Sequence, residues 1–142
     1  SVAGRAVSHL KKLGETSSVM IDAWHAPVES TDPGAFVTVW ARYERGLGGG
    51  VAMGSKGVRS ETLAQMAFDE VFDWMASNAT IDPYLADQIL IPAVLAEGDT
   101  SFKISRLTQR FLTSIRIVKH FAPLHILVKG IEGGPGSVTI SK

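Results

Sequence analysis

IDPYLADQILIPAVLAEG, residues 81–98, opens on an acid followed by a proline and then stays largely apolar to its end. The Asp82 side chain can accept from the first unpaired helical N–H groups, and Pro83 has the fixed φ suited to a first helical position. The pair predicts a helix from Asp82 through about Glu97, with Pro92 bending it. The polar stretch SNAT, 77–80, sets this helix off from what precedes it.

Working outward, SFKIS (101–105) reads as a short strand, 108–121 as a helix, LHILVKG (124–130) as a strand, and SVTIS (137–141) as a last strand after the turn residues GGPG. That order is α-β-α-β-β. On the N-terminal side, Val2, Ala3, Ala6, Val7 and Leu10 share one face of a helix over 2–13 that Gly14 should end. SSVMIDAW (17–24) and AFVTVWARYE (35–44) read as strands, and GLGGGVAMGSKG (46–57) as a Gly-rich turn followed by a third strand. Ser60 can cap a helix over 61–77 with Leu63, Met66, Ala67, Val71, Trp74 and Met75 as its buried stripe. The expected class is α/β (α+β), with an α-β-β-β-α part over 1–80 and an α-β-α-β-β part over 81–142.

At 142 residues and 45% hydrophobic, the chain can bury one core or two small ones. No apolar run is long enough for a bilayer span and no secretory pattern opens the chain, so no membrane role and a cytoplasmic location are expected. With zero cysteines, disulfides, thiol catalysis and thiolate metal sites are excluded. The net charge of zero conceals a division: residues 1–99 hold seven Lys/Arg against thirteen Asp/Glu, a formal −6, and residues 100–142 hold seven Lys/Arg against Glu132 alone, a formal +6. Clustered cations of this kind suit phosphate, although pairing with the acidic half is the alternative.

Several motifs point nowhere. GLGGG at 46–50 lies between two strands without a Walker lysine, so it reads as hairpin punctuation rather than a phosphate loop. His9, His25, His120 and His125 lack metal-ligand spacing, so no metal site is expected, and no nucleophile elbow is present. The polar residues of the quoted stretch are a better lead. Tyr84 can lie beside Asp87 and Gln88 on one helix face, and such a polar group must find partners in a neighbouring element or in a ligand.

With SFKISRLTQRFLTSIRIVKHFAP (101–123) added, these residues resemble the C-terminal region of RNA 3′-terminal phosphate cyclases, whose pattern is an A-D-Q helix followed by T-x-H-x-x-T-N-I. YERGLGGGVAMGSKGVRSETLAQMAFDEV (43–71) resembles the family's strand, Gly-rich turn and helix start. The resemblance covers nearly the whole chain. It implies an ATP-dependent, ligase-class RNA-processing reaction in which a histidine is adenylated, AMP passes to an RNA 3′-phosphate, and the neighbouring 2′-hydroxyl displaces AMP to leave a 2′,3′-cyclic phosphate. It also implies ATP and Mg²⁺ as cofactors, an RNA 3′ end as partner, and nucleotide binding by Tyr84, Asp87 and Gln88.

The pattern is broken at two positions. Arg110 stands where the nucleophilic histidine belongs and Ser114 where asparagine is usual. An arginine stays protonated and cannot attack phosphorus, although its fork of donors holds phosphate well. His120, about 15 Å further along a helix, cannot take its place. Catalytic residues are therefore expected to be absent, with Arg106 and Arg110, at i and i+4, as phosphate or RNA contacts if the helix begins early enough, and Arg116 and Lys119 as a solvated face. Residues 1–80 resemble the family's inserted small domain and 81–142 the end of its large domain. A chain starting at Ser1 without the earlier repeats is expected to be cut, processed or separately encoded, with apolar surface on 81–142 awaiting the missing N-terminal part or an oligomer partner. Two functions follow: the C-terminal portion of an RNA 3′-terminal phosphate cyclase, or a non-catalytic cyclase-like scaffold in RNA processing or ribosome biogenesis.

Overall fold

A computed structural model describes residues 1–142. The elements run α1 Val2–Thr16, β1 Phe36–Tyr43, β2 Gly46–Met53, α2 Ser60–Met75, α3 Pro83–Leu95, β3 Thr100–Ile104, α4 Gln109–Phe121, β4 His125–Gly130 and β5 Gly136–Ser141. Four helices and two small antiparallel sheets make the fold α+β. The chain gathers into two compact units, one of Ser1–Trp40 with Gly49–Phe72 and the other of Ala41–Gly48 with Asp73–Lys142.

In the first unit, Ala6 and Leu10 of α1 pack with Ala64 and Phe68 of α2, and Val37 and Val39 of β1 close over them. Helix α1 starts where Ser1 Oγ accepts from the Gly4 N–H at 3.0 Å. It does not stop at Gly14 as expected; it continues to Thr16. Gly14 is a contact residue: a Cβ there would lie 2.6 Å from the Val19 carbonyl oxygen and 2.9 Å from Ile21. The expected strand over 17–24 is not formed. Val19, Ile21 and Ala23 do alternate as half-buried residues with exposed Met20, Asp22 and Trp24, but no neighbouring strand supplies hydrogen-bond partners. The alternation reports side-chain packing alone. On α2, Ala64 and Phe68 are buried in place of the expected Met66, which is 54% exposed.

The glycine run is the second correction. The turn of the β1–β2 hairpin is Glu44–Arg45, and Gly46, Gly48, Gly49 and Gly50 lie within β2. In the first unit a Cβ on Gly50 would stand 2.4 Å from the Ala67 carbonyl oxygen, and in the second a Cβ on Gly48 would stand 2.2 Å from the Trp74 ring. The strand is bare because helix α2 lies directly on its backbone.

The second unit is built on the sheet β3-β5-β4, antiparallel throughout. Single parallel bridges from Leu47 to Ile81 and from Ile81 to Ile104 continue it past β3. One face carries Phe102, Ile104, Ile126, Val138 and Ile140, and on it pack Ala86, Leu90 and Ala93 from α3 and Phe111, Ile115 and Val118 from α4. Helix α3 begins as expected: Asp82 is 5% exposed and its carboxylate accepts from the Tyr84 and Leu85 N–H groups, both at 2.8 Å. It ends at Leu95, two residues before the expected Glu97, where the Ala96 N–H bonds the Pro92 carbonyl. Asp82→Ala should therefore cost about 1–2 kcal/mol of stability, read as a lower urea midpoint; an unchanged midpoint would show that Pro83 and packing set the helix start by themselves. Helix α4 begins with the Thr108 hydroxyl accepting from Phe111 N–H at 3.1 Å, and Lys119 and His120 lie in its last turn, where the helix dipole favours cations.

Candidate functional site

The buried stripes of α3 and α4 hold the two helices side by side on one sheet face, which brings Asp87 and Arg110 together although 23 residues separate them. Arg110 Nε donates to Asp87 Oδ2 at 2.6 Å, and Nη2 lies 2.5 Å from the same oxygen. The guanidinium carbon sits 5.9 Å from the centroid of the Tyr84 ring. Three residues singled out in the sequence thus form one constellation, and Gln88 is exposed next to Asp87 on α3.

Burial divides these groups by role. The Asp87 side chain is 16% exposed and that of Arg110 65%. Asp87 is therefore part of the scaffold, while much of the guanidinium faces solvent with donors left over after its two bonds to the carboxylate. Asp87 Oδ1 is buried and has no hydrogen-bond partner. An acceptor in that condition carries an unmet desolvation cost, which a donor group on a ligand can relieve. Tyr84 keeps 42% of its surface exposed and offers an aromatic edge and face beside the charge pair.

Arg106 is placed differently. The expectation that it shares a helical face with Arg110 required an early helix start, but α4 begins at Gln109 and Arg106 lies in the bend before it, exposed. Its chain segment is instead tied to the turn before β5, through Leu107 N–H to the Gly134 carbonyl and Gly133 N–H to the Leu107 carbonyl. Ser114, at the position where the cyclase pattern has asparagine, donates its hydroxyl to the Arg110 carbonyl within α4. Arg116, Lys119 and His120 are exposed.

No three His, Asp or Glu side chains cluster as a metal would require. The charge pair itself is not visible in the sequence. Helical spacing orders residues within α3 or within α4 but says nothing about which residue of one faces which of the other. The only available signal is Asp87, the one charged residue within α3, and a helix α4 that carries basic residues and no acid.

Comparison with known proteins gives this chain a family. The family described as RNA 3′-terminal phosphate cyclase matches residues 5–128. Among curated proteins, the RNA 3′-terminal phosphate cyclase of Thermococcus onnurineus is 29% identical over 130 residues, which is 92% of this chain and 38% of that protein. That of Pyrococcus furiosus is 31% identical over 135 residues, 95% of this chain and 38% of the relative, and that of Methylococcus capsulatus 32% identical over 115 residues, 81% and 32%. The chain thus spans about a third of the length of these relatives.

Proposed function

Because this chain belongs to the RNA 3′-terminal phosphate cyclase family, we propose that it is the nucleotide- and phosphate-holding C-terminal portion of such a protein, and that it does not itself carry the covalent nucleophile. The observation that carries the reading is Arg110, tied to Asp87 and standing over Tyr84 at the position where the family pattern has histidine. In this reading Tyr84 packs an adenine ring, Asp87 Oδ1 and Gln88 supply polar contacts to the nucleoside, and the outward donors of Arg110 hold a phosphate of ATP or the 3′-phosphate of RNA. A guanidinium suits the task, since it binds phosphate with paired donors and does not lose its charge near neutral pH. Mg²⁺ would enter on the nucleotide's phosphates, given that this chain offers a single carboxylate there and commits one of its oxygens to Arg110.

The opposing reading, a cyclase portion that forms the adenylate, draws support from the retained Tyr84, Asp87 and Gln88. One experiment separates the two. Incubation with radiolabelled ATP and Mg²⁺ followed by a denaturing gel should leave the chain unlabelled, while equilibrium titration with ATP should show binding that Tyr84→Ala weakens about tenfold, the worth of one base stacked on an aromatic ring. Covalent label would overturn the non-catalytic reading. ATP affinity indifferent to Tyr84→Ala would remove the α3 site.

A further inference from the structure

The face of the sheet β3-β5-β4 turned away from α3 and α4 has a chemistry of its own. In the antiparallel register Lys103 of β3 stands opposite Ser137 of β5, and Lys129 of β4 stands opposite the same serine. Directly paired residues point to one side of a sheet, so the two lysines flank Ser137 in a single row, on strands about 10 Å apart. The next row is Ser101, Thr139 and Leu127, in which the two hydroxyls lie 3.3 Å apart. Lys103 and Lys129 are exposed, and neither takes part in an ion pair. Beside the lysine row, a shallow depression is lined by Ser77, Asn78, Lys103, Lys129 and Ser137 together with the backbone of Gly130 and Gly136. Within residues 100–142 the only carboxylate side chain is Glu132, in the turn beyond Gly130.

We propose that this open sheet face is a second RNA contact, a track for the phosphodiester backbone of single-stranded RNA, separate from the Tyr84–Asp87–Arg110 constellation on the helices. The donors present are those that bind phosphate oxygens without reading sequence: lysine ammonium, serine and threonine hydroxyls, and the amide of Asn78. Leu127 is the one apolar side chain in the two rows and neither row carries an aromatic ring; the imidazole of His125, exposed in the next row opposite Ser141, is a single ring and makes no stacking platform, so the face holds backbone and leaves the bases unread. An acidic protein segment fits less well. A peptide binds a sheet along its edge or through side-chain pockets, and this is a flat central face of small hydroxyls. The proposal rests on the reading that the chain meets RNA, and it extends that contact from the 3′ end to the strand behind it.

The test is fluorescence-anisotropy titration of the whole chain with one short RNA oligonucleotide, carrying either a 3′-phosphate or a 3′-hydroxyl. Lys103→Gln/Lys129→Gln should bind roughly tenfold more weakly at 50 mM salt, with a log–log salt slope shallower by about 1.4, that is 0.7 for each phosphate of a single strand that is no longer neutralised. The loss should be equal for both RNA ends. The charge-matched variant Lys11→Gln/Lys12→Gln, exposed on α1, should bind like the parent. Four results would overturn the track: no RNA binding by the parent, no loss in the double variant, an equal loss in the α1 variant, or polyglutamate competing as well as RNA. None of them touches the ATP titration of Tyr84→Ala, so the helix site and the sheet track stand or fall separately.

Discussion

Phe111→Ala should lower the stability of the chain by about 4 kcal/mol, the middle of the range for truncating a buried phenylalanine. Phe111 is 1% exposed, among the largest fully buried side chains, and its ring meets Phe102 of β3 edge-on with centroids 6.4 Å apart. Residues from both helices and all three strands of the sheet surround it in one core, so no single neighbour can move to fill the space. Small domains are stable by only about 5–15 kcal/mol, and the truncation should shift the urea midpoint accordingly, whereas Leu127→Ala, at a residue 55% exposed, should shift it little. Phe111 also follows Arg110 directly. A variant that remains folded should hold the guanidinium less firmly over Tyr84, and a nucleotide affinity reduced in the folded fraction would register that. A loss below about 1 kcal/mol would mean that the core repacks around the gap.

Arg110→Ala should cost about 2 kcal/mol, chiefly by leaving the Asp87 carboxylate, only 16% exposed, with neither oxygen bonded. The figure is set below that for a fully buried pair because Arg110 itself is mostly in water. Asp87→Asn should cost less, since the amide is neutral and its oxygen can still accept from Arg110. Placing Asn at 87 in the Arg110→Ala background should then recover part of the loss, and the double-mutant cycle isolates the coupling. A coupling below about 0.5 kcal/mol would class the pair with ordinary surface ion pairs and would leave nothing to hold Arg110 at Tyr84. In ligand binding, Arg110→Ala should weaken ATP without affecting adenosine, because the guanidinium is assigned to phosphate.

Much of the second unit is readable in the sequence. Asp82-Pro83 announces α3, the pattern of 108–121 announces α4, and the strands after each follow from short apolar runs and turn residues, because these signals are local and the structure satisfies them locally. The first unit is less legible. The alternation at 19–24 is genuine, but a strand also needs a hydrogen-bonding neighbour, and a single sequence does not reveal one. GLGGG looks like a turn because glycine is favoured in turns; only the position of Trp74 and Ala67 over the strand explains why side chains are missing there. At the candidate site Tyr84, Asp87 and Gln88 are visible through helical spacing and family pattern, whereas the Asp87–Arg110 pair and the row Lys103–Ser137–Lys129 depend on which elements lie next to each other.

The fit of Gly48 under Trp74 also limits how this chain can change over generations. The ring is 2% exposed, its indole N–H has no hydrogen-bond partner, and it is held by shape alone against the bare strand and Tyr43, whose ring centroid is 5.7 Å away. A side chain gained at 48 before the tryptophan is lost has nowhere to go, while a smaller residue at 74 opens a cavity that a later residue at 48 can fill. The two positions are therefore passable in one order only. Divergent descendants should carry the history as an inverse relation of size between two residues that no motif search would pair.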